Sequence, residues 1–188
     1  MEADLTRVLL VTKDSKISSS TRLMLVPPLF FVTECDDYNQ ARRTAAENNF
    51  DIIIVDSGDG EGTDLAVDLS ESSSTILLLA PNHLFDQISY RVESFGVLTL
   101  TKPFDQFYFY NMIKIAMAVN AKVQRLTFQT IRLKEKMEEI RIINRAKMLL
   151  MSHKQMTEEE AHRYIEKTAM DKCVKRTILA EEIIKDFS

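Results

Sequence analysis

The last 85 residues of the chain contain no glycine and no proline, whereas the first 103 residues hold all four glycines and all four prolines. Because these two residue types interrupt helices more than any others, residues 104–188 are expected to be almost continuously helical. The charge changes at the same place: residues 1–103 carry 8 basic and 16 acidic side chains, and residues 104–188 carry 16 basic and 12 acidic ones. Two units of different architecture are therefore expected.

The first part alternates short apolar runs with amphipathic segments, which is typical of a parallel sheet covered by helices. The runs predict five strands that are buried on both faces, namely RVLLV (7–11), LFFVT (29–33), DIIIVD (51–56), TILLLA (75–80) and GVLTLT (96–101). The segments between them predict four crossover helices, ISSSTRLML (17–25), DYNQARRTAAE (37–47), DLAVDLSE (64–71) and HLFDQISYRVES (83–94), and a fifth helix after Pro103. The predicted fold class is α/β, a doubly wound parallel sheet of five strands.

In such a sheet, ligands and catalytic groups collect beyond the carboxyl ends of the strands. The side chains expected at that edge are Thr12, Lys13, Asp14, Asp56, Leu79, Ala80 and Lys102. Asp56 ends the third strand in IIIVDS, and Lys102 precedes Pro103 in LTLTKPF. These motifs resemble the receiver domain of bacterial response regulators, which has a flavodoxin-like fold. The resemblance covers roughly residues 5–118, and residues 1–118 are taken as the receiver-like domain.

The resemblance implies that Asp56 is equivalent to the aspartate that receiver domains phosphorylate, and that Lys102 and a cis Pro103 match the family's lysine and its turn. The chain departs from the family at four positions. Thr12 and Lys13 stand where an acidic pair normally holds Mg²⁺, which leaves only Asp14. Leu79 replaces a hydroxyl-bearing residue, and Thr99 replaces an aromatic switch residue.

Mg²⁺ is held by carboxylates, phosphate oxygens and water, and its charge stabilises the transferring phosphoryl group. With this pair replaced, we expect a degenerate Mg²⁺ site, no cofactor and no efficient phosphorylation. Lys13 is expected to approach Asp56 as a counter-ion. A working phosphoacceptor and a purely structural carboxylate remain the alternatives. The domain is interpreted as a pseudo-receiver that senses a signal or binds a sensor or kinase protein, and not as an enzyme.

From residue 104 the apolar residues recur at alternating steps of four and three, a heptad pattern of more than four repeats. The positions are Met112, Ala116, Val119, Val123, Leu126, Thr130, Leu133, Met137, Ile140 and Asn144. A helix over residues 105–151 would be roughly 70 Å long at about 1.5 Å per residue, too long for one receiver-sized domain to cover.

The heptad pattern therefore predicts a two-stranded coiled coil, parallel or antiparallel, that joins two copies of the chain through residues 105–145. The residues expected in this dimer contact are Val119, Val123, Leu126, Leu133, Met137 and Ile140. Thr130 and Asn144 at core positions would weaken the coil and help to fix its register. The alternative is that the stripe folds back against its own domain.

After SHKQ (152–155), Thr157 and Glu160 have the spacing of a capping box that starts a second helix. Its core face is expected to contain Ala161, Tyr164, Ile165, Thr168 and Ala169, with Met170 close by. Thr177 is expected to cap a last helix with Ile178 or Leu179, Ile183, Ile184 and Phe187 inside. Because such short helices are not stable alone, they are expected to pack on residues 146–151 as a small all-α three-helix bundle.

This part resembles the ANTAR domain, an RNA-binding module of transcription antiterminators, over about residues 125–186, and residues 125–188 are taken as the domain. The matching residues are Ala146, Lys147, Leu150, Met151, Thr157, Glu160, Ala161, Ala169, Met170, Ala180, Ile183 and Ile184. One departure is Glu166, where the family commonly has arginine. The resemblance implies a dimeric regulator that binds paired hairpins in nascent leader RNA and so prevents termination.

The cations that could contact RNA phosphates are Arg141, Arg145, Lys147, Lys154, Arg163, Lys167, Lys172, Lys175 and Arg176. Six glutamates in the same region dilute their field. Ala146, Ala161, Met151 and Met170 are expected in the bundle core. The alternatives are a DNA-binding response regulator, for which the acidic last helix is a poor recognition helix, and a coiled-coil signalling adaptor that binds only protein.

The remaining residues exclude further classes of function. Cys35 and Cys173 and the three histidines fit no metal-ligand spacing, so no metal site and two reduced thiols are expected. No run of 18 apolar residues exists, and the first residues are acidic where a signal peptide would be basic. We therefore expect a cytoplasmic protein without a membrane partner.

Overall fold

The computed structural model describes residues 5–58 and 60–187, and the chain divides into two compact units, Met1–Arg125 and Leu126–Ser188. In the first unit the strands are β1 (Thr6–Val11), β2 (Phe30–Cys35), β3 (Ile52–Asp56), β4 (Thr75–Pro81) and β5 (Leu98–Lys102). The helices are α1 (Ser15–Met24), α2 (Tyr38–Glu47), α3 (Glu61–Leu69), α4 (Phe85–Val92), α5 (Gln106–Lys154), α6 (Glu158–Asp171) and α7 (Arg176–Asp186).

The five strands form one parallel sheet in the order β2-β1-β3-β4-β5. One face buries Leu9, Ile53 and Leu78 in a cluster to which residues of α2, α3 and α4 contribute. The opposite face buries Ile54 and Leu77 with side chains of α1 and of the first turns of α5. Helices on both faces of a parallel sheet confirm the predicted doubly wound α/β architecture.

Burial of the strands is less uniform than the sequence predicts. The three central strands are buried almost throughout, but β2 exposes Phe31 and leaves Val32 to Glu34 half-buried, and in β5 only Leu100 is fully buried. Both are edge strands, which are covered on fewer sides than central ones. Apolar runs alone could not distinguish edge strands from central strands.

The helix α5 is 49 residues long and begins as part of the first unit. Phe109, Ile113 and Ala116 are fully buried in the sheet cluster, and Met112 packs beside them. The prediction that Met112 and Ala116 belong to the coiled-coil stripe is therefore wrong, because the sheet already covers them. The Asn120 side chain, which is buried, donates a hydrogen bond to the backbone carbonyl of Asp51.

Beyond Asn120 the surroundings of α5 change. Every residue from 121 to 141 is exposed in this chain. The helix then continues to Lys154, three residues past the predicted end, with His153 and Lys154 in its last turn.

Within the two described ranges, no helix is long and apolar enough to cross a membrane.

The second unit is a bundle of the end of α5 with α6 and α7. Its core contains Ala146, Leu150, Ala161, Ile165, Ala169, Leu179, Ala180 and Ile183. The predicted capping box is confirmed, because the Thr157 hydroxyl accepts a hydrogen bond from the Glu160 backbone N–H and the Glu160 carboxylate accepts one from the Thr157 backbone N–H. The small alanines let the three helices approach closely.

Two details of the predicted bundle are wrong. Helix α7 begins at Arg176 with Lys175 as its N-cap, so Thr177 lies in the first turn and caps nothing. Met151 and Met170 are 38% and 77% exposed, because Ala146 and Leu150 on α5, and Ile165 and Ala169 on α6, occupy the inward faces of their helices. Of the two alternatives for the inward position of α7, Leu179 is buried and Ile178 is exposed.

Candidate functional site

Asp56 lies at the carboxyl end of β3, and its side chain is 9% exposed. Three groups donate hydrogen bonds to its carboxylate. The Lys102 ammonium and the Gly58 backbone N–H (3.2 Å) reach Oδ1, and the Thr12 hydroxyl reaches Oδ2 at 3.1 Å. An unpaired carboxylate removed from water would be strongly destabilising, so a cation and several donors are needed here. Internal groups of the chain therefore satisfy Asp56.

Lys13 does not take the place beside Asp56 that the sequence predicts. Its ammonium lies 5.0 Å from the centre of the Tyr38 ring, in the geometry of a cation–π contact. The reason is that Lys102 already neutralises Oδ1 and the preceding residue, Thr12, donates to Oδ2. The counter-ion of Asp56 is Lys102 and not Lys13.

Tyr38 contributes to this edge, although no motif in the sequence singles it out. It is the first residue of α2, and its hydroxyl donates to the Asp56 backbone carbonyl at 3.3 Å. Gly58 has a φ of +53°, and a Cβ built there would lie 2.7 Å from the Tyr38 hydroxyl oxygen. Because Tyr38 is far from the strand motifs in the sequence, its contact with the turn after β3 is recognised only in the three-dimensional structure.

The oxygens at this edge fit poorly to a Mg²⁺ site. The Asp14 carboxylate accepts the Lys16 backbone N–H at 2.8 Å and so caps α1. Thr12 offers one hydroxyl, which already donates to Asp56 and accepts the Asp14 backbone N–H at 3.0 Å. Throughout residues 5–58 and 60–187, no group of three or more His, Cys, Asp and Glu side chains is placed to hold a metal ion.

The two other departures from the receiver pattern, Leu79 and Thr99, also offer different chemistry from the residues expected at these positions. Leu79 lies opposite Asp56 in the register of β3 and β4 and, like Ala80, is fully buried. It offers hydrocarbon where the resemblance implies a hydroxyl. The Thr99 hydroxyl is hydrogen-bonded to the Ser89 hydroxyl (3.1 Å), so the switch position is tied to α4 by a small polar side chain.

The predicted RNA-contacting cations form two groups in the second unit. Five are engaged in ion pairs. Three of these pairs connect different segments of the bundle: Lys147 with Glu158, Lys172 with Glu182 and Arg176 with Glu166, each at 2.8 Å. Arg163 pairs with Glu159 at 2.7 Å, and Arg141 with Glu138 at 3.5 Å, within their own helices.

These pairs shift pKa values in the expected directions. The hydrogen bond from Lys147 lowers the pKa of Glu158, and the hydrogen bond to Glu182 raises the pKa of Lys172. Glu166, the departure from the ANTAR pattern, holds Arg176 and also lies 3.4 Å from His162 Nε2. The acidic residues of the bundle thus orient part of its basic surface.

The other four cations are Arg145, Lys154, Lys167 and Lys175. All are exposed, and among the residues that the structure describes none of them makes an ion pair. The Lys154 ammonium lies 5.0 Å from the centre of the Tyr164 ring and 5.9 Å from that of Phe187, on which His153 stacks at 4.9 Å. Cations next to aromatic rings are a surface suited to phosphates and unstacked bases.

The predicted dimer contact also lies on the surface of this chain. Val119 is half-buried, and the exposure of Val123, Leu126, Leu133, Met137 and Ile140 ranges from 41% to 70%. Thr130 and Asn144, the predicted polar core positions, are exposed as well. Within residues 5–58 and 60–187, the apolar row along α5 is therefore left largely exposed.

Comparisons with known proteins found similarities for both units of the chain. Residues 132–184 match the family model of the ANTAR domain. The chain is 26% identical over 157 residues to the transcriptional regulatory protein PdtaR of Mycobacterium tuberculosis, covering 82% of this chain and 77% of that protein.

Two solved structures resemble the first unit. The signal receiver domain of an HD domain-containing protein from Pseudomonas fluorescens Pf-5 is 19% identical with a TM-score of 0.57, covering 64% of this chain and 92% of that one. A CheY-like response regulator receiver domain protein from Methanospirillum hungatei JF-1 is 20% identical with a TM-score of 0.55, covering 63% and 98%. At these identities the likeness establishes the fold of the first unit. The chain thus combines a receiver-like domain with an ANTAR domain.

Proposed function

We propose that this protein is a transcription antitermination regulator that binds paired hairpins in nascent leader RNA through its ANTAR domain. The observation that carries the proposal is the match of residues 132–184 to the ANTAR family, on a bundle whose core contains six residues of the family pattern, Ala146, Leu150, Ala161, Ala169, Ala180 and Ile183. The name of the relative PdtaR, a transcriptional regulatory protein, supports the same class of function. Binding would stabilise an antiterminator structure against the competing terminator.

The chemistry of the bundle surface supports an RNA ligand. Arg145, Lys167 and Lys175 are exposed cations outside the ion pairs of the bundle, and Lys154 lies over two aromatic rings. Hairpin loops present unstacked bases that such side chains can reach, whereas the deep groove of a duplex RNA stem excludes them. The contacts to phosphates would make the affinity strongly salt-dependent.

Two copies of the chain would act together. The exposed row from Val123 to Ile140 is the surface through which we propose a coiled-coil homodimer. Once one bundle of a dimer has bound a hairpin, the second bundle meets the neighbouring hairpin at a high effective concentration. Dimerisation therefore converts two modest contacts into one tight one.

The receiver-like domain is proposed to act as a sensing or partner-binding module in the cytoplasm, and not as an enzyme. Lys102, Thr12 and the Gly58 backbone already satisfy the Asp56 carboxylate, and few oxygens remain for Mg²⁺. A sensor or kinase protein could bind this domain without transferring a phosphoryl group to Asp56. We propose that Asp56 is not phosphorylated efficiently and that the domain needs no cofactor.

A gel-shift experiment tests the proposed function. The full chain is titrated against a transcript with two neighbouring hairpins and against duplex DNA of equal length. We expect binding to the transcript and about 10-fold weaker binding by the double variant Arg145→Glu, Lys167→Glu, which loses phosphate contacts. Arg43→Glu, on the exposed surface of α2, is the control and should bind like the wild type. Preference for the DNA would instead indicate a DNA-binding regulator, and binding to neither would indicate a protein-binding adaptor.

A further inference from the structure

The charged side chains beside the exposed apolar row of α5 are arranged unevenly. When Leu126, Leu133 and Ile140 are placed at heptad position d, and Thr130 and Met137 at position a, the flanking e and g positions hold Thr127, Gln129, Lys134, Lys136 and Arg141. We call Lys134, Lys136 and Arg141 the cationic flank. The acidic residues of the segment 126–141 are Glu135, Glu138 and Glu139, and all three lie at the outer positions f, b and c.

The cationic flank is poorly neutralised within the chain. All three side chains belong to exposed residues. Within the described part of the chain, Lys134 and Lys136 make no ion pair, and Arg141 reaches Glu138 only at 3.5 Å, where both partners are more than half exposed. A surface pair of this kind contributes little. This differs from the bundle, where Lys147, Lys172 and Arg176 each have a carboxylate at 2.8 Å.

In a parallel coiled coil, position g of one chain meets position e of the following heptad in the other chain. Lys136 would therefore face Arg141 of the second chain, twice in each dimer, and Gln129 would face Lys134. The apolar seam favours pairing, whereas the flanks place like charges opposite each other, which is destabilising. An acidic e or g residue that could relieve this repulsion is absent from the segment 126–141.

We infer that the cationic flank extends the RNA-binding surface to further phosphates by adding Lys134 and Lys136 to Arg141, and that the polyanion relieves the repulsion between the two chains. This inference rests on the proposed function, since it assigns a further contact to the same RNA. RNA and dimer formation are then coupled: phosphates neutralise the flank and tighten the coil, and by linkage a formed coil binds RNA more tightly. The inference is made for the parallel orientation, which would bring both bundles to one end of the coil.

The first arm of the test needs no RNA. Sedimentation equilibrium of the full chain between 50 mM and 500 mM KCl gives the dimer dissociation constant in each salt concentration. We expect wild-type dimers to become tighter as salt screens the flanks. Lys136→Glu creates an attractive Glu–Arg pair across the coil, so this variant should dimerise about 10-fold more tightly at low salt and lose that gain at high salt.

Two matched variants make this arm specific. Arg132→Glu makes the same change in net charge, but at outer position c. Among the described residues, the ring contact of Arg132 is with Phe128, which is itself exposed. It should dimerise less than 3-fold differently from the wild type. The double variant Lys136→Glu, Arg141→Glu restores like charges across the coil and should return to wild-type or weaker dimerisation. Equal effects of Lys136→Glu and Arg132→Glu, or wild-type dimers that weaken in salt, would overturn the inference.

The second arm measures the affinity for a two-hairpin transcript against salt concentration. Lys136→Glu removes one phosphate contact from each chain, so the slope of log affinity against log salt should fall by about 2 relative to Arg132→Glu. If the wild type binds the transcript but the two variants share one slope, the flank does not contact RNA and the inference fails. If the wild type binds no transcript at all, the proposed function itself fails, and the salt dependence of the free dimer still decides whether the flanks repel.

Discussion

The beginning and the middle of α5 carry the same apolar repeat but have different surroundings. From Phe109 to Ala116 the repeat is buried on the sheet, whereas from residue 121 to residue 141 every side chain is exposed. The change occurs at Asn120, whose buried amide is fixed on the Asp51 carbonyl. The comparison teaches that a continuous heptad pattern can have two different surroundings, first the chain's own sheet and then an exposed stretch that is free for the second chain we propose.

The largest effect on stability should come from a substitution in the buried beginning of α5. Phe109→Ala removes a fully buried ring that stacks on Phe104 at 4.9 Å between ring centres, and should lower the free energy of unfolding of the first unit by about 4 kcal/mol. Phe107→Ala, two residues earlier and 75% exposed, is the control and should change it by less than about 0.5 kcal/mol. Urea denaturation of both variants measures the difference, and equal effects would contradict the assigned burial.

The exposed part should affect association and leave folding intact. Leu133→Glu should raise the dimer dissociation constant at least about 100-fold, because two leucines per dimer each lose about 1.5 to 3 kcal/mol of burial. The control is Ile131→Glu, an exposed apolar residue outside the predicted seam, which should dimerise like the wild type. Sedimentation velocity at several concentrations distinguishes the two variants. Loss of dimers in both, or in neither, would break the comparison.

The boundary at Asn120 predicts a smaller effect. Asn120→Ala leaves the Asp51 carbonyl without its donor and should lower the free energy of unfolding by about 1 to 2 kcal/mol. Gln124, one turn further on, is exposed and donates to the Ser73 carbonyl at 3.1 Å, so Gln124→Ala should cost less than about 0.5 kcal/mol. Thermal unfolding gives both values, and the reverse order would place the end of the sheet contact further along α5.

An ion pair also joins the far end of α5 to α6, and this pair predicts the smallest effect. The Lys147 ammonium lowers the pKa of Glu158 below its ordinary value of 4.5. A carboxyl group whose pKa is lower in the folded state contributes stability above its unfolded pKa, and this contribution is lost as the pH falls through the folded pKa. Acidification below about pH 4.5 should therefore destabilise the wild-type bundle slightly more than Glu158→Gln, when helicity is followed by circular dichroism. Identical acid transitions would show that the pair contributes nothing.

Much of this architecture could be predicted from local patterns. The five strands, the helices between them and the capping box at Thr157 follow from apolar periodicity and turn chemistry, which depend on residues close in sequence. The predictions that were wrong concern contacts between residues that are distant in the sequence. Lys13 follows β1, which lies beside β3 in the sheet, and Lys102 follows from the sequence as a residue of the same edge. Only the folded structure shows that Lys102 is the cation that pairs with Asp56, while Lys13 lies over the Tyr38 ring.

The bundle also contains positions that local sequence patterns did not predict. Met170 fits an apolar pattern, but it is exposed because Ile165 and Ala169 already face α5 and α7. The cap assigned to Thr177 failed because α7 begins at Arg176, two residues earlier than predicted, with the exposed Lys175 at its N-cap. The placement of the candidate RNA-contacting cations could not be predicted either, since pairs such as Arg176 with Glu166 join residues of different helices.

The central claim is that two chains pair along the exposed row so that their two bundles bind neighbouring hairpins together. Titration calorimetry with a two-hairpin transcript and a one-hairpin transcript tests it most directly. We expect two chains per two-hairpin RNA and an affinity at least about 100-fold above that for one hairpin. Leu133→Glu should lose this difference and keep the one-hairpin affinity. A wild type that binds both transcripts with equal affinity, one chain to each, would contradict the account.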